Sequence, residues 1–280
     1  MTDTFQTRRV GVIILLLSAV TFSCAGIFTK AVSADAWSVI FWRGLSSAIF
    51  ALVFLALRSK VREEWAWFGW PAVIATVLMA SGTAAFIPAF KLTSVANVAL
   101  IWATAPFVTA FLAWLAIRER PERIVVLCSG FALIGVAITV SGSFGSSTLM
   151  GDLLAFWMTL MMALTMVLYR MWPDTPTVLP TAFSSLVLLV PAWLLSEPLH
   201  VTQIEVGVLI VFGLVFAVAA IALVEGARRV PAAQAALISI LETPLAPIWA
   251  LLILSEVPSF EALIGGVIII VAVFISQVRT

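Results

Sequence analysis

Gly11–Lys30 reads GVIILLLSAVTFSCAGIFTK, and Gly151–Arg170 reads GDLLAFWMTLMMALTMVLYR. Both stretches are apolar over about 20 residues, the length that a helix needs to cross about 30 Å of hydrocarbon. Each begins at a glycine and ends at a basic residue, and the second follows the first by 140 positions. The pair therefore predicts membrane-spanning helices and indicates that the chain repeats itself.

Two shorter echoes support the repeat. Ala96–Ile101 (ANVALI) resembles Ala233–Ile238 (AQAALI), and Arg118–Pro121 (RERP) resembles Ser255–Pro258 (SEVP), each pair 137 positions apart. The echoes occur in the same order in both halves of the chain. A long-period repeat of membrane spans is typical of transporters that are built from two structural halves.

The composition also predicts a membrane protein. Hydrophobic residues make up 63% of the chain and charged residues 10%, with a mean hydropathy of +1.18. A soluble domain of this length could not bury so much apolar side chain. The net charge of +1 and the lack of a long basic run give no reason to expect a nucleic-acid partner. Cys24 and Cys128 fall inside apolar runs, so we expect neither a disulfide nor a metal site.

Ten membrane spans are predicted. They are placed at about 10–32, 36–57, 67–91, 94–117, 124–142, 151–170, 178–195, 205–227, 231–254 and 260–277. The segment Gly142–Ser147 divides the chain, so the predicted repeats are residues 10–142 and 151–280, each with five helices. The first span follows two arginines as a signal peptide would, but it lacks a small-x-small cleavage site, and we expect it to remain uncleaved.

The distribution of basic residues predicts the orientation. If the N-terminus is cytoplasmic, only Lys30 and Lys91 fall on the outer side. The twelve bases on the cytoplasmic side are Arg8, Arg9, Arg58, Lys60, Arg62, Arg118, Arg120, Arg123, Arg170, Arg228, Arg229 and Arg279. This asymmetry follows the positive-inside rule, so we expect both termini in the cytoplasm. Because five spans is an odd number, the second half is then inverted relative to the first.

A proline followed by a Glu-x-Pro turn marks the fourth helix of each half. The two instances are Pro106 with Glu119–Pro121 and Pro244 with Glu256–Pro258. Together with ten spans in two halves, this pattern resembles the drug/metabolite transporter superfamily of the ten-helix EamA type. Within it the chain is most similar to the bacterial aromatic amino acid exporters. The resemblance covers nearly the whole chain.

The resemblance carries expectations about architecture and location. It implies a basket in which helices one to four and six to nine surround a central cavity, while helices five and ten lie outside. It also implies that the cavity opens alternately to the two sides of a bacterial inner membrane, and we expect a functional monomer in the lipid bilayer.

No catalytic constellation is recognisable in the sequence. The single histidine, His200, falls in a predicted external loop, and there is no Cys/His cluster, HExxH, phosphate-binding glycine loop or nucleophile elbow. We therefore expect no enzyme activity, no cofactor and no ATP-driven pumping, so that any transport draws its energy from gradients. A membrane-embedded enzyme or sensor is the less favoured alternative.

Two ionisable residues are predicted within the hydrocarbon, where a charge costs several kcal/mol and commonly has a function. Arg43 lies about 10 Å from the outer end of the second span, at 1.5 Å per residue, and Glu242 lies near the middle of the ninth. One or both of these residues contact the substrate or a proton, or else they form a structural pair, or the arginine side chain snorkels toward the membrane surface. The sequence leaves these interpretations open. Glu225 lies one turn from Arg228 and Arg229, which predicts an ion pair at a helix end.

Aromatic, methionine and hydroxyl side chains supply the other candidates for a substrate site. In the order of the spans they are Met79, Thr83, Phe86, Trp102, Trp157 (beside the stripe of Met158, Met162 and Thr165) and Ser239. Such side chains can hold an apolar group, while hydroxyls and the carbonyls of broken helices bind its polar end. The alternative for each is packing against lipid or another helix.

Prolines and glycines inside the spans predict hinges. Pro106 and Pro244 occur at related places in the two halves, and each removes a backbone hydrogen bond. Gly26 and Gly82 are predicted flexible points in the first and third spans. A purely structural kink is the alternative at each position.

The scarcity of charged residues within the predicted spans narrows the range of possible substrates. A carrier of phosphorylated substrates needs several cavity bases, and only Arg43 is available. The resemblance to small multidrug exporters would require a glutamate in the first helix of a half, and neither Gly11–Lys30 nor Gly151–Arg170 contains one. We therefore expect a secondary transporter that exports amino acids, with preference for aromatic and other neutral apolar ones. A permease or exporter for another uncharged metabolite or drug is the alternative.

Overall fold

The computed structural model describes residues 2–93, 95–141, 149–255 and 259–278. These residues form α-helices, a single 3-10 turn at Pro198–His200, and no strand. The helices are α1 (Thr2–Ser23), α2 (Ala25–Lys30), α3 (Ala36–Leu57), α4 (Val61–Ala66), α5 (Trp70–Leu92), α6 (Val95–Trp102), α7 (Ala105–Ile117), α8 (Arg123–Val140), α9 (Leu149–Met171), α10 (Val178–Val187), α11 (Leu189–Leu195), α12 (Gln203–Ala227), α13 (Ala232–Ser239), α14 (Glu242–Leu254) and α15 (Phe260–Val278).

The helices build the predicted membrane spans. Within the described residues, nine segments are long and apolar enough to cross a bilayer, and Arg123–Thr139 in α8 forms a shorter apolar helix. In chain order the spans are α1 with α2, α3, α5, α6 with α7, α8, α9, α10 with α11, α12, α13 with α14, and α15. The predicted all-α membrane fold is confirmed.

Side chains complete the hydrogen bonding where spans begin. The Asp35 carboxylate caps α3 by accepting from the backbone N–H groups of Trp37 at 2.8 Å and Ser38 at 3.1 Å. Thr202 and Glu205 form a capping box at the start of α12. Such caps satisfy N–H groups that have no partner within the helix, and they fix where each span starts.

Contacts between the spans are related by a twofold exchange of the halves. The first span packs on the eighth as the sixth packs on the third, and the second packs on the eighth as the seventh packs on the third. The fourth span packs on the ninth and the fifth on the tenth. Exchanging the two halves therefore turns each of these two contacts into itself. This is the contact pattern of two five-helix repeats.

The fourth and ninth spans are interrupted at equivalent places. The bounds of α6 and α13 differ by 137 residues (95 and 232, 102 and 239), and so do those of α7 and α14 (105 and 242, 117 and 254). The sequence echoes at the same offset therefore reflect a shared backbone that includes the break.

Polar contacts join the loops at one end of the bundle, which we call the base-rich end: the start of α1 and the connections after α3, α7, α9 and α12. Arg8 donates to Gln234 at 2.7 Å and lies 3.6 Å from Glu122. The Glu64 carboxylate accepts from the backbone N–H groups that begin α10, at 2.8 Å from Leu179. Arg228 donates to the Pro173 carbonyl at 3.1 Å.

A separate set of contacts joins the opposite end. Ser33 donates to Glu205 at 2.7 Å, and Lys91 donates to the Ala34 carbonyl at 3.3 Å. The described loops thus alternate between two ends in the predicted order. The predicted linker 142–147, the Glu256–Pro258 turn and Arg279 lie outside the described residues.

The fourth and ninth spans meet in the halves that lie toward the base-rich end. There α7 packs on α13, whereas the described parts of α6 pack on α8 and α9, and those of α14 on α1 and α15. Glu119 joins the same region: it accepts from Arg170 Nε at 2.8 Å and from the Ala232 backbone N–H at 3.0 Å. These contacts close the bundle at the base-rich end.

The orientation can be tested by single-cysteine labelling after Cys24 and Cys128 are replaced by alanine. Arg62 and His200 are both exposed, at the base-rich and opposite ends respectively. We expect an impermeant thiol reagent applied outside cells to label His200→Cys and not Arg62→Cys, because basic loops stay in the cytoplasm. Labelling of Arg62→Cys from outside would contradict the predicted orientation.

The Glu119 contacts predict a weakened closure in Glu119→Gln. Loss of this half-buried ion pair costs about 1 kcal/mol, which raises the open population roughly fivefold. In the same cysteine-free background, Ser239→Cys on the cavity wall should react correspondingly faster with a thiol reagent that is supplied from the base-rich side.

Glu63→Gln is the matched control, because it removes an exposed ion pair with Lys60 at 3.2 Å at the same end of the molecule. We expect it to leave the labelling rate unchanged. Equal rates in the two variants would show that Glu119 has no part in closure.

Candidate functional site

A cavity lies between the two halves and is lined by spans one to four and six to nine. The volume within this cavity that the centres of water molecules can occupy is about 70 Å³. A single water needs roughly 10–15 Å³ on the same measure, so the cavity is several times that size. Its lining residues are Ser18, Ala19, Phe22, Ala25, Arg43, Met79, Gly82, Thr83, Phe86, Trp102, Met158, Met162, Thr165, Ser184, Phe212, Phe216, Ala220, Leu223, Val224, Ser239 and Glu242. The fifth and tenth spans contribute none of these residues, as the basket architecture requires.

Most of the predicted site residues meet in this cavity. They are Met79, Thr83, Phe86, Trp102, Ser239, Glu242 and Arg43. Trp157 does not: its side chain is 47% exposed on the outside of the bundle, and its indole N–H donates to Ser81 Oγ at 2.8 Å. Its neighbours Met158, Met162 and Thr165 face the cavity instead, because successive residues point in different directions around a helix.

The cavity lining repeats with the fold. Ser18, Phe22 and Ala25 in the first span correspond to Met158, Met162 and Thr165 in the sixth at an offset of 140. Met79 and Thr83 in the third span correspond in the same way to Phe212 and Phe216 in the eighth, at an offset of 133.

Sequence reasoning missed Phe22, Phe212 and Phe216. The repeat was the signal that could have found them, since it carries the predicted stripe in the third span onto the eighth and the stripe in the sixth span onto the first. Applied to side chains as well as to spans, the repeat predicts all three of these phenylalanine positions on the cavity wall.

Arg43 is fully buried, at 1% exposure, on the wall of this cavity. Its guanidinium carbon lies 4.1 Å from the ring centre of Phe216 and 5.5 Å from that of Phe212, which are cation–π distances. Gly213 lets α12 approach closely here, because a Cβ at that position would come within 2.6 Å of the Arg43 carbonyl oxygen. Among the described residues, Arg43 Nε has no hydrogen-bond partner.

Glu242 opens α14 immediately after the break in the ninth span and lines the same cavity. A carboxylate in the first turn of a helix is stabilised by the N–H groups and the dipole there. The described part of the chain gives Glu242 no ion-pair partner, in contrast to Glu225, which lies 2.6 Å from both Arg228 and Arg229. The predicted helix-end ion pair of Glu225 is therefore present.

The helix breaks lie beside these residues. Pro106 lacks the N–H that would bond the Trp102 carbonyl, and Pro244 stands in the same relation to Ile240. The interruptions keep short-range bonds, such as Thr104 N–H to the Ile101 carbonyl at 3.1 Å. Irregular backbone inside a membrane protein is tolerated where it lines a cavity.

The two predicted glycine hinges differ. Gly26 lies just after the interruption between α1 and α2, with open space where a Cβ would stand. Gly82 lies within the uninterrupted α5, where a Cβ would approach the Cβ of Met161 to 3.3 Å. Close packing of α5 on α9 therefore accounts for Gly82, whereas motion at Gly26, Pro106 and Pro244 stays a prediction.

Trp102 is also buried, at 7% exposure, and its indole N–H has no partner among the described residues. The described side chains contain no group of three His, Cys, Asp or Glu residues that could hold a metal ion. The chemistry of the cavity is thus a set of rings and thioethers with hydroxyls, one acid, one base and an indole donor.

Comparison with known proteins gives the family. A family model described as the EamA-like transporter family matches residues 9–141 and again residues 149–277. The chain belongs to the EamA-like transporter family. A search of curated proteins finds no match for this EamA-family transporter.

A solved crystal structure shares the fold of this EamA-family transporter. It superposes with a TM-score of 0.86 at 15% sequence identity, and the match covers 97% of this chain and 98% of that one. Members of the family are membrane transporters, so the cavity belongs to a transport protein.

Glu242→Gln tests whether this acid carries a coupling proton. We expect the variant to fold and to lose any dependence of transport on a pH gradient, because the amide cannot titrate in the range in which a carboxylate does. The measurement is flux in proteoliposomes with and without a pH gradient, together with the melting temperature.

Glu225→Gln is the matched control, since it removes an acid with two ion-pair partners outside the cavity. It should lower the melting temperature and leave the pH dependence intact. Wild-type flux that ignores the pH gradient would end the coupling hypothesis.

Proposed function

We propose that this transporter exports neutral amino acids, with aromatic and other apolar ones preferred, by alternating access as a secondary transporter. It would act as a monomer in a bacterial inner membrane with both termini in the cytoplasm. The observation that carries the proposal is the cavity itself, in which one acid and one base stand in a wall that is otherwise mostly apolar and aromatic with a few hydroxyls. A zwitterion with an apolar side chain complements that combination in charge and in polarity.

The rest of the lining suits the side chain of such a substrate. Phe22, Phe86 and Trp102 offer ring faces, and Met79 and Met162 offer adaptable thioethers. Aromatic pairs gain about 0.5–1.5 kcal/mol beyond their buried area. The same lining has too few bases for a phosphorylated substrate.

Alternating access is supported by the matched helix breaks. The fourth and ninth spans are packed together toward the base-rich end, and the backbone of each half has the same interruption. Exchange of the two half-conformations would separate α7 from α13 and bring α6 onto α14, which would open the cavity to the other side.

The proposal is tested by uptake and counterflow in proteoliposomes against a panel of amino acids. We expect phenylalanine, tryptophan and leucine to exchange, and aspartate and lysine to fail, because their extra charge would be buried without a partner. Exchange of uncharged metabolites or drugs, with no flux of any amino acid, would favour the alternative permease.

Trp102→Ala sharpens that test. Loss of the ring should weaken binding of phenylalanine or tryptophan several-fold to about tenfold, and should affect threonine or alanine less. Trp102→Phe is the control that keeps a ring. Unchanged substrate ratios in Trp102→Ala at normal expression would remove Trp102 from the site.

A further inference from the structure

Arg43 is a deeply buried base whose position is not explained by an ion pair within the described residues. The ion pairs of the described residues at the base-rich end use Arg8, Lys60, Arg170, Arg228 and Arg229. Arg43 is buried more completely than any of these, yet the described part of the chain gives it no acidic partner. A buried charge without a partner is costly, and in a membrane protein it commonly serves a ligand.

The residues around Arg43 hold its guanidinium in place but leave part of its hydrogen-bonding capacity unused. The guanidinium carbon lies over the ring of Phe216, 4.1 Å from its centre, and 5.5 Å from the centre of the Phe212 ring. Ring faces stabilise a cation, but they do not replace acceptors for its five N–H groups, which point outward in the guanidinium plane. Arg43 Nε is the buried member of this fork that has no partner in the described chain.

A second unsatisfied donor lies on the same cavity. The indole N–H of Trp102 is buried without an acceptor, and an indole nitrogen can only donate. Glu242 is the one acid among the lining residues, and it forms no bond with either donor. The cavity therefore leaves these two buried N–H groups without an acceptor among the described residues.

We infer that Arg43 is the carboxylate-binding residue of this cavity, and that Phe216 is a positioning residue that holds its guanidinium toward the ligand. A carboxylate presents two coplanar oxygens that match the fork of a guanidinium. A phosphate would bring a greater charge than one arginine balances beside Glu242. The assignment rests on the proposed function in one respect, namely that the ligand is an amino acid.

The test compares three ligands of one shape on the purified protein: L-phenylalanine, its amide, and 3-phenylpropionate, which lacks the ammonium group. Affinities are measured by calorimetry, and melting temperatures are recorded for each variant. Wild type should bind L-phenylalanine roughly ten- to a hundredfold more tightly than the amide, as charged hydrogen bonds are lost in the amide.

Arg43→Gln should abolish this preference. It should weaken L-phenylalanine and 3-phenylpropionate by the same roughly ten- to a hundredfold factor and leave the amide nearly unchanged. Arg43→Lys, which keeps the charge without the fork, should give an intermediate ratio and also serves if Arg43→Gln does not fold.

Phe216 is tested by rescue. Phe216→Leu should lower the preference for the carboxylate ligands several-fold while the amide is bound as before, and Phe216→Tyr, which keeps the ring face, should restore it. A residue that only fills space would weaken all three ligands alike in Phe216→Leu.

The outcomes separate this inference from the proposed function. Equal losses for the amide and the carboxylates in Arg43→Gln would overturn the carboxylate site, and amino acid flux in wild type would still support the proposed function. Binding of 3-phenylpropionate that depends on Arg43, in a wild type that exchanges no amino acid, would support the site and overturn the function. Failure of wild type to bind either carboxylate would overturn the site.

Discussion

The structure depends on one constraint, which is that backbone N–H and carbonyl groups in hydrocarbon must bond within the chain. Continuous helices meet this requirement over nearly the whole of each span. The interruptions in the fourth and ninth spans fall where the backbone borders a cavity, and short-range bonds such as Ile240 N–H to the Leu237 carbonyl keep most groups satisfied there. The site therefore lies at the depth in the bundle where the fourth and ninth spans are interrupted.

The two repeats give the cavity walls equivalent backbones but different side chains. Trp102 in the first half corresponds to Ser239 in the second, and Met79 corresponds to Phe212. The backbones of the halves are equivalent enough to exchange conformations, which is what alternating access requires of inverted repeats. The side chains are not equivalent, so a substrate with different chemical groups can still be held in one orientation.

Two sets of charged residues in this molecule contrast with each other. At the base-rich end, the Arg170 ion pair with Glu119 at 2.8 Å joins the end of α9 to the loop after α7, and the Arg228 ion pair with Glu225 at 2.6 Å lies at the end of α12. On the cavity wall, Arg43 and Glu242 lack such partners in the described chain, and the aromatic rings of α12 hold the arginine in place. The paired charges hold the bundle together, whereas the unpaired ones are available to a ligand or a proton.

The sequence by itself determined the spans, the two repeats and the three most unusual cavity residues. Span length and hydropathy are local properties set by bilayer thickness, and Arg43, Glu242 and Trp102 are conspicuous because polar groups are rare in hydrocarbon. Only the tertiary structure decided which face of each span borders the cavity. In α9 both the outward-facing and the inward-facing sides carry large apolar side chains, so side-chain type alone could not separate the exposed Trp157 from the inward-facing Met158. Phe216 likewise acquires its significance only when packing brings α12 against Arg43, because a contact between distant segments is not encoded in the local pattern of either one.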